Sequence, residues 1–185
     1  MNFDLTNHFL IAMPSLEDPN FDHTVTYICA HNDEGAMGIV INRPLDFDLG
    51  EVLSQMDLET HDQRITDQPV YQGGPVQTDR GFVLHRPARD WNSTIKVTTD
   101  IGVSTSRDIL EAISDGAGPS ENLIALGYAG WAGGQLEAEM AQNSWLSGPA
   151  DLDIIFDTPA AHRWQCAANL LGIDIGSISH DVGHA

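Results

Sequence analysis

Thr24-Val25-Thr26-Tyr27-Ile28-Cys29-Ala30, then Asn32-Asp33-Glu34-Gly35, then Met37-Gly38-Ile39-Val40-Ile41 is the stretch that decides the fold. Its flanks are rich in β-branched and aromatic residues, which suit a pleated, half-buried surface, and its centre is a turn cluster. It reads as a β-hairpin. Upstream, Phe9-Leu10-Ile11-Ala12-Met13 is an apolar strand stopped by Pro14. Downstream, Asn42-Arg43-Pro44 ends the second strand, since proline has no N–H for a ladder. The period then changes: Leu49, Val52, Leu53 and Met56 lie at helical spacing, with Asp48 as N-cap. Residues 57–68 are polar and read as a surface loop. Val70-Tyr71-Gln72 is a short strand entering the turn Gly73-Gly74-Pro75, Gly81 to His85 is another strand closed by Pro87, and Ser93 to Thr98 alternates as a half-exposed strand.

The second half brings helices. Thr105 with Asp108 has the spacing of a capping box, followed by the stripe Ile109, Leu110, Ile113 up to Gly116. Leu123 to Tyr128 reads as a buried strand, residues 134–143 as a helix with Leu136 and Met140 inward, and Leu152 to Phe156 as a strand. The last helix takes Thr158 as N-cap, Pro159 as its first residue and Gly172 just past its end. Strands in a run with helices between them predict an α+β fold with a mixed, mostly antiparallel sheet. The 185 residues fit one domain.

Charge is the most unusual quantity. Asp plus Glu number 27 against 8 Lys plus Arg, giving a net charge of −19. The excess is even along the chain: residues 1–92 carry 15 acids and 5 bases, residues 93–185 carry 12 acids and 3 bases. Such a field repels phosphate backbones and anionic membranes, so direct nucleic-acid binding and membrane association are disfavoured. Lys96 is the only lysine among 19 aspartates, the composition of a protein adapted to high salt. The N-terminus lacks the basic and apolar regions of a signal peptide, and two cysteines in a chain able to build its own core point to the cytoplasm. A Cys29–Cys166 bridge stays open.

Several groups of residues are candidates for chemistry. Cys29 and His31, two apart on a strand, share a face, and a nearby imidazolium lowers a thiol pKa. That is a redox-responsive cysteine or, equally, a core residue beside Tyr27 and Val25. Gly73-Gly74-Pro75-Val76 lacks the Lys-Ser/Thr of a phosphate-cradling loop and reads as a turn. Tyr128 to Glu137, with Gly127, Gly130, Gly133 and Gly134, runs from strand into helix and is either a close-packed turn anchored by Trp131 or a polar pocket. Arg64, Arg80, Arg86 and Arg89 with His85, joined in space by Arg43, form the one anion-attracting patch the sequence offers, unless local ion pairs with neighbours such as Asp79 and Asp90 consume it. His180 and His184 have metal-pair spacing, but no third ligand accompanies them. No cofactor or metal is expected.

Long, ordered blocks give a resemblance. Phe9 to Leu16 through Asp18-Pro19-Asn20-Phe21 and Thr24 to Cys29 form the first; Gly35 to Pro44 the second; Gly73 to Val76 with Arg80 to His85 the third; Gly127 to Trp131, Gly134 to Glu137 and Asn143-Ser144-Trp145-Leu146 the fourth; Gly183-His184-Ala185 closes the chain. Together they resemble the bacterial AlgH/YqgE family over nearly the whole chain. The resemblance implies one domain spanning residues 1–185, with a curved or barrel-like sheet and helices packed outside, and carries no catalytic residues across. The polar members Asn42, Arg43, Arg80, His85, Gln135, Glu137 and Asn143 are those a binding pocket would use, and Cys29 is the redox candidate.

The expectation is a cytoplasmic, non-enzymatic regulatory or binding domain for a small molecule or a protein, open to thiol-redox control. The alternatives are a transcriptional regulator acting through protein partners, which the resemblance implies for one branch, and a hydrolase or transferase using Cys29 or His85. Charge supplies the first test: the melting temperature is expected to rise steeply from low to molar KCl, and a curve flat with salt would remove the high-salt reading.

Overall fold

The computed structural model describes residues 3–173. In chain order its elements are β1 (His8–Ala12), β2 (Val25–Asn32), β3 (Gly35–Val40), β4 (Pro44–Asp48), α1 (Leu49–Gln55), α2 (Gln63–Thr66), β5 (Pro69–Gln72), β6 (Val76–Arg86), β7 (Thr94–Lys96), β8 (Gly102–Ser104), α3 (Arg107–Ser114), β9 (Glu121–Ala132), α4 (Gln135–Ala141), β10 (Trp145–Pro149), α5 (Leu152–Phe156) and α6 (Ala160–Leu170). The fold is α+β. The strands form one curled half-barrel sheet in the order β10-β1-β2-β3-β9-β6-β8-β7, with β5 against β9 and β4 against β5. Every pairing is antiparallel except β5 with β9. The β2–β3 hairpin stands as the sequence reads it.

Curling divides the apolar side chains among three cores. The inner face packs Phe9, Val25, Tyr27, Cys29, Ile39, Phe82, Leu84 and Val103 against Ile154, Ile155, Ala167 and Ala168, so α5 and α6 close the hollow. On the outer face α4 covers Leu10, Ile28, Trp131 and Trp145, while α1 and α3 cover Val70, Val83 and Ile124. Buried Arg163 ties α6 to the sheet: it donates to the carbonyls of Thr158 and Ile41 and lies over the Tyr71 ring. β9 contributes to all three cores and carries three partners. On one edge it pairs β6; on the other it pairs β5 at Ile124–Leu126 and then β3 at Ala129–Ala132, changing neighbour at Gly127.

Some expectations are corrected. Leu152–Phe156 is a helix, not a strand: the Asp151 carboxylate accepts from the Asp153 N–H, and Ile154 and Ile155 reach the inner core. A five-residue apolar run has no periodicity long enough to separate the two states. Within the supposed loop 57–68, Asp62 caps the single turn of α2. α3 starts one residue later than a Thr105 cap requires, after Ser106, whose hydroxyl bonds Asp108 at 2.5 Å. Pro159 stands just before α6 rather than inside it. The Ser93–Thr98 strand is shorter, and β4, β8 and β10 are additional strands. Asp48 caps α1 as expected, and Gly172, past α6, has φ +72°.

The handover on β9 depends on absent side chains. A Cβ on Gly73 would lie 2.3 Å from the Gly127 carbonyl oxygen, and one on Gly127 would lie 2.5 Å from that of Gly74. Gly127 also has φ +79°, a left-handed conformation costly for any other residue. Gly127→Ala is therefore expected to lose about 3 kcal/mol, combining backbone strain with overpacking. Urea unfolding should show a lower midpoint at unchanged slope.

Candidate functional site

The site begins with an irregularity in β6. Val76 pairs with Tyr128 and Gly81 with Leu126, so residues 77–80 stand opposite Gly127 alone. A bulge of this kind re-aims side chains out of the ladder. Gln77 takes φ +49°, and Arg80 is exposed at the open end of the trough. There the inner faces of β2, β3, β9, β6, β8 and β7 surround a cleft of about 710 Å³. Its apolar wall includes Met37, Phe82, Ile95, Val103 and Tyr128; its polar wall includes Gln77, Arg80, Ser93 and Thr105; Glu34 stands at the hairpin turn. This volume is that of a small-molecule site.

Arg80 holds the polar wall together. Its Nη2 donates to Thr105 Oγ1 at 3.1 Å and its Nη1 reaches Gln77 Oε1 at 3.4 Å. The guanidinium carbon lies 5.9 Å from the centre of the Phe82 ring. Thr105 Oγ1 in turn is 3.0 Å from Ser93 Oγ. All of these partners are neutral.

The other candidates do not converge on this cleft. Asn42 accepts from the Val25 N–H and donates to the His23 carbonyl. Arg43 donates to the carbonyls of Pro19, Asn20 and Asp22, so the two residues pin the loop before β2. Gln135 accepts from the Ala132 N–H and closes the turn into α4. Asn143, with φ +58°, ends the chain reversal after α4. The basic patch dissolves too. Arg64 pairs with Asp62, Arg86 with Glu121 and Asp153, and Arg89 lies over Trp91.

His85 is fully buried beneath β8. Its Nδ1 lies 2.9 Å from the Pro87 carbonyl, which can only accept, so Nδ1 carries the proton and Nε2 accepts from Ser104 Oγ at 2.7 Å. Burial lowers its pKa, against the Pro87 bond, which raises it. The Ser104–His85 pair has the geometry of an activated hydroxyl, but both residues are inaccessible, and Ser104 also bonds Thr94 Oγ1 at 2.8 Å. The pair ties β6 to β8 and β7.

Cys29 and His31 do not share a face. Ile28 pairs with Gly38 and Ala30 with Met37, so Cys29 is the extra residue of a bulge. Cys29 stays in the inner core, its thiol pushed up to about 12 by desolvation. His31 turns the other way, toward α4. Cys29 and Cys166 are both free thiols. His31 Nδ1 accepts from the Leu5 N–H at 3.0 Å, so Nε2 carries the proton and donates to Glu137 Oε1 at 2.5 Å. Glu137 thus serves to link α4, β2 and the N-terminal segment. Its pKa is lowered first by its own backbone N–H and then by His31.

Among the described residues no group of three His, Cys, Asp or Glu side chains could hold a metal ion; His180 and His184 lie outside them. No described helix is long and apolar enough to cross a membrane. Reading the sequence singled out Arg80 but missed Gln77, Ser93 and Thr105. For Gln77 the trace is the polar run Gln77-Thr78-Asp79-Arg80 ahead of the apolar Phe82-Val83-Leu84; Ser93 and Thr105 leave none.

Fold and cleft define a single α+β half-barrel domain with a small-molecule-sized recess at the open end of its sheet. The chain belongs to the AlgH-like family, which matches residues 9–176. A UPF0301 protein from Thioalkalivibrio sulfidiphilus is 60% identical over 182 residues, covering 98% of this chain and 97% of that protein. One from Nitrosococcus oceani is 54% identical over 179 residues, covering 97% and 96%. The solution structure of AlgH from Pseudomonas aeruginosa superposes with a TM-score of 0.82 at 50% identity, covering 98% of this chain and 96% of that one. A crystal structure from Corynebacterium diphtheriae, at 20% identity and TM-score 0.72, covers 90% and 86% and shows the same fold.

The Glu137 contact has a signed pH dependence. A carboxylate whose folded pKa is depressed stabilises the fold above its unfolded value, and that contribution is lost as pH falls through the folded one. Glu137→Gln is expected to lower the melting temperature at neutral pH. The gap to wild type should close as pH drops below the ordinary glutamate value of 4.5. A gap constant down to the acid limit would contradict the pairing.

Proposed function

We propose that the protein is a non-enzymatic binding domain, regulatory in role, whose ligand site is the cleft at the open end of the half-barrel. The observation that carries this reading is Arg80: an exposed guanidinium placed by a bulge in a recess with an apolar wall, and bonded there only to neutral groups. Binding sites of this size combine apolar walls with a few polar groups that fix orientation. Burial of Cys29 and His85 weighs against the hydrolase or transferase alternative, since neither side chain meets solvent. A thiol switch at Cys29 would first require the inner core to open.

Two free thiols support a reducing cytoplasm as the site of action. Charge supports a small molecule or a protein, rather than nucleic acid, as partner: the net charge is −19 and the arginines are scattered among ion pairs. Regulation of transcription, if this chain performs it, then runs through protein contacts.

A thermal-shift screen of metabolites on the full chain tests the reading, with Ser93→Trp as a cleft-filling control on an exposed position. Bound ligand stabilises by mass action, about 2.7 kcal/mol at a hundredfold excess over Kd. Hits are expected to raise the melting temperature of wild type and leave Ser93→Trp unmoved. A screen without hits, or hits that shift both proteins alike, would count against the cleft.

A further inference from the structure

The cations of this chain differ in what meets them. Arg64, Arg86, Lys96 and Arg107 each meet a carboxylate: Asp62, Glu121 with Asp153, Asp90, and Glu111. Arg43 and Arg163 are bonded by backbone carbonyls. Arg89 stacks on Trp91. Arg80 alone lies in the cleft, and no carboxylate of the described residues comes within ion-pair distance of it. With 27 acids against 8 bases, a carboxylate partner is the easiest thing for such a chain to supply. A guanidinium offers five N–H donors in a planar fork that matches a carboxylate with two parallel bonds. Its two bonds here, at 3.1 and 3.4 Å, go to neutral oxygens.

Resting on the reading of the cleft as a ligand site, we infer that its occupant is a small monocarboxylic acid with an apolar body, its carboxylate on Arg80 and its body along Met37, Phe82, Ile95 and Tyr128. Ile95 is 47% exposed, one of the few large apolar side chains left to solvent, and would be covered by that body. The hydroxyls of Ser93 and Thr105 can rotate to donate to the same carboxylate.

The net charge limits the occupant's charge to one: at −19 it disfavours dianions such as phosphate monoesters at every approach. The cleft volume of about 710 Å³ accepts a body of one ring or a medium-length alkyl chain with room to spare.

The test is isothermal titration of the full chain with matched probes: benzoate, phenylacetate and octanoate beside benzamide, phenylacetamide and octanamide, with phenyl phosphate as the dianion. The proteins are wild type, Arg80→Gln, Arg80→Lys and Ser93→Trp. Arg80 is exposed and makes no ion pair, so its variants are expected to fold and melt like wild type. Acids should bind wild type on the order of tenfold more tightly than their amides, the scale of a charge-assisted bond over a neutral one. Arg80→Gln should erase that preference, Arg80→Lys should keep part of it, and phenyl phosphate should bind more weakly than benzoate. Acids and amides binding alike, with Ser93→Trp abolishing both, would keep the cleft and overturn the acid. Acid preference surviving in Arg80→Gln, or phosphate binding above benzoate, would overturn it as well. Binding of neither acids nor amides would overturn the inference, and hits in the wider screen would then decide whether the cleft itself stands.

Discussion

The structure depends on one close approach of backbone to backbone. β9 runs through the centre of the sheet and must exchange β5 for β3 along a single edge. The exchange takes place at Gly127, where the Gly73–Gly74 segment is pressed against β9: the Gly73 N–H donates to the Leu126 carbonyl at 2.8 Å, and the Gly73 carbonyl accepts from Val40 at 2.8 Å. Thus one glycine bonds both β9 and β3, and the seam between the two parts of the sheet is closed without side chains. Ordinary residues at these positions would hold the strands apart and leave buried N–H and C=O groups unpaired.

That seam also places the cleft. Opposite Gly127 on the other edge of β9, residues 77–80 of β6 leave the ladder, and the absence of a Cβ on Gly127 gives them room. The bulge carries Arg80 beyond the regular pleat, where the curl of the sheet brings the hairpin and β7 around it. A flat sheet with the same residues would spread these walls apart. Recognition chemistry and fold therefore share an origin in the handover on β9, although the residues concerned, glycines on one side and a polar run on the other, have no chemistry in common.

Much of the fold was legible. The β2–β3 hairpin, the caps at Asp48 and Gly172 and the amphipathic stripe of α3 are local signals, set by side chains within a few residues of one another. What was illegible depended on distant partners. Leu152–Phe156 is helical because α5 plugs a hollow whose walls come from the first 130 residues. The bulge at Cys29, which sends His31 to α4 instead of leaving it beside the thiol, has no marker in its own strand. For the site, the motif-rich polar residues were a poor guide. Asn42, Arg43 and Gln135 stand near glycines and prolines because they bond backbone groups at turns, the same reason they stand out in the sequence, and Glu137 bonds His31 rather than a ligand. Arg80 was picked out among them, but Ser93 stands just before β7 and Thr105 just after β8, and the pairing of those strands brings them to it only in three dimensions.

The acidic surface gives the remaining arginine its meaning. In a neutral protein an exposed guanidinium without an ion pair is ordinary, because solvent satisfies it and a surface pair contributes little. Here carboxylates are so abundant that four cations have acquired them, and the others are held by carbonyls or an aromatic ring. A carboxylate from the chain itself at the mouth of the cleft would neutralise Arg80 and compete with any acid arriving from solution. Keeping neutral oxygens from Gln77 and Thr105 around it orients the fork while leaving its charge uncompensated. The same acidic field that turns polyanions away at long range still lets a single charge reach a recess whose nearest groups are a cation and hydroxyls, since screening confines the repulsion to about 8 Å at physiological salt.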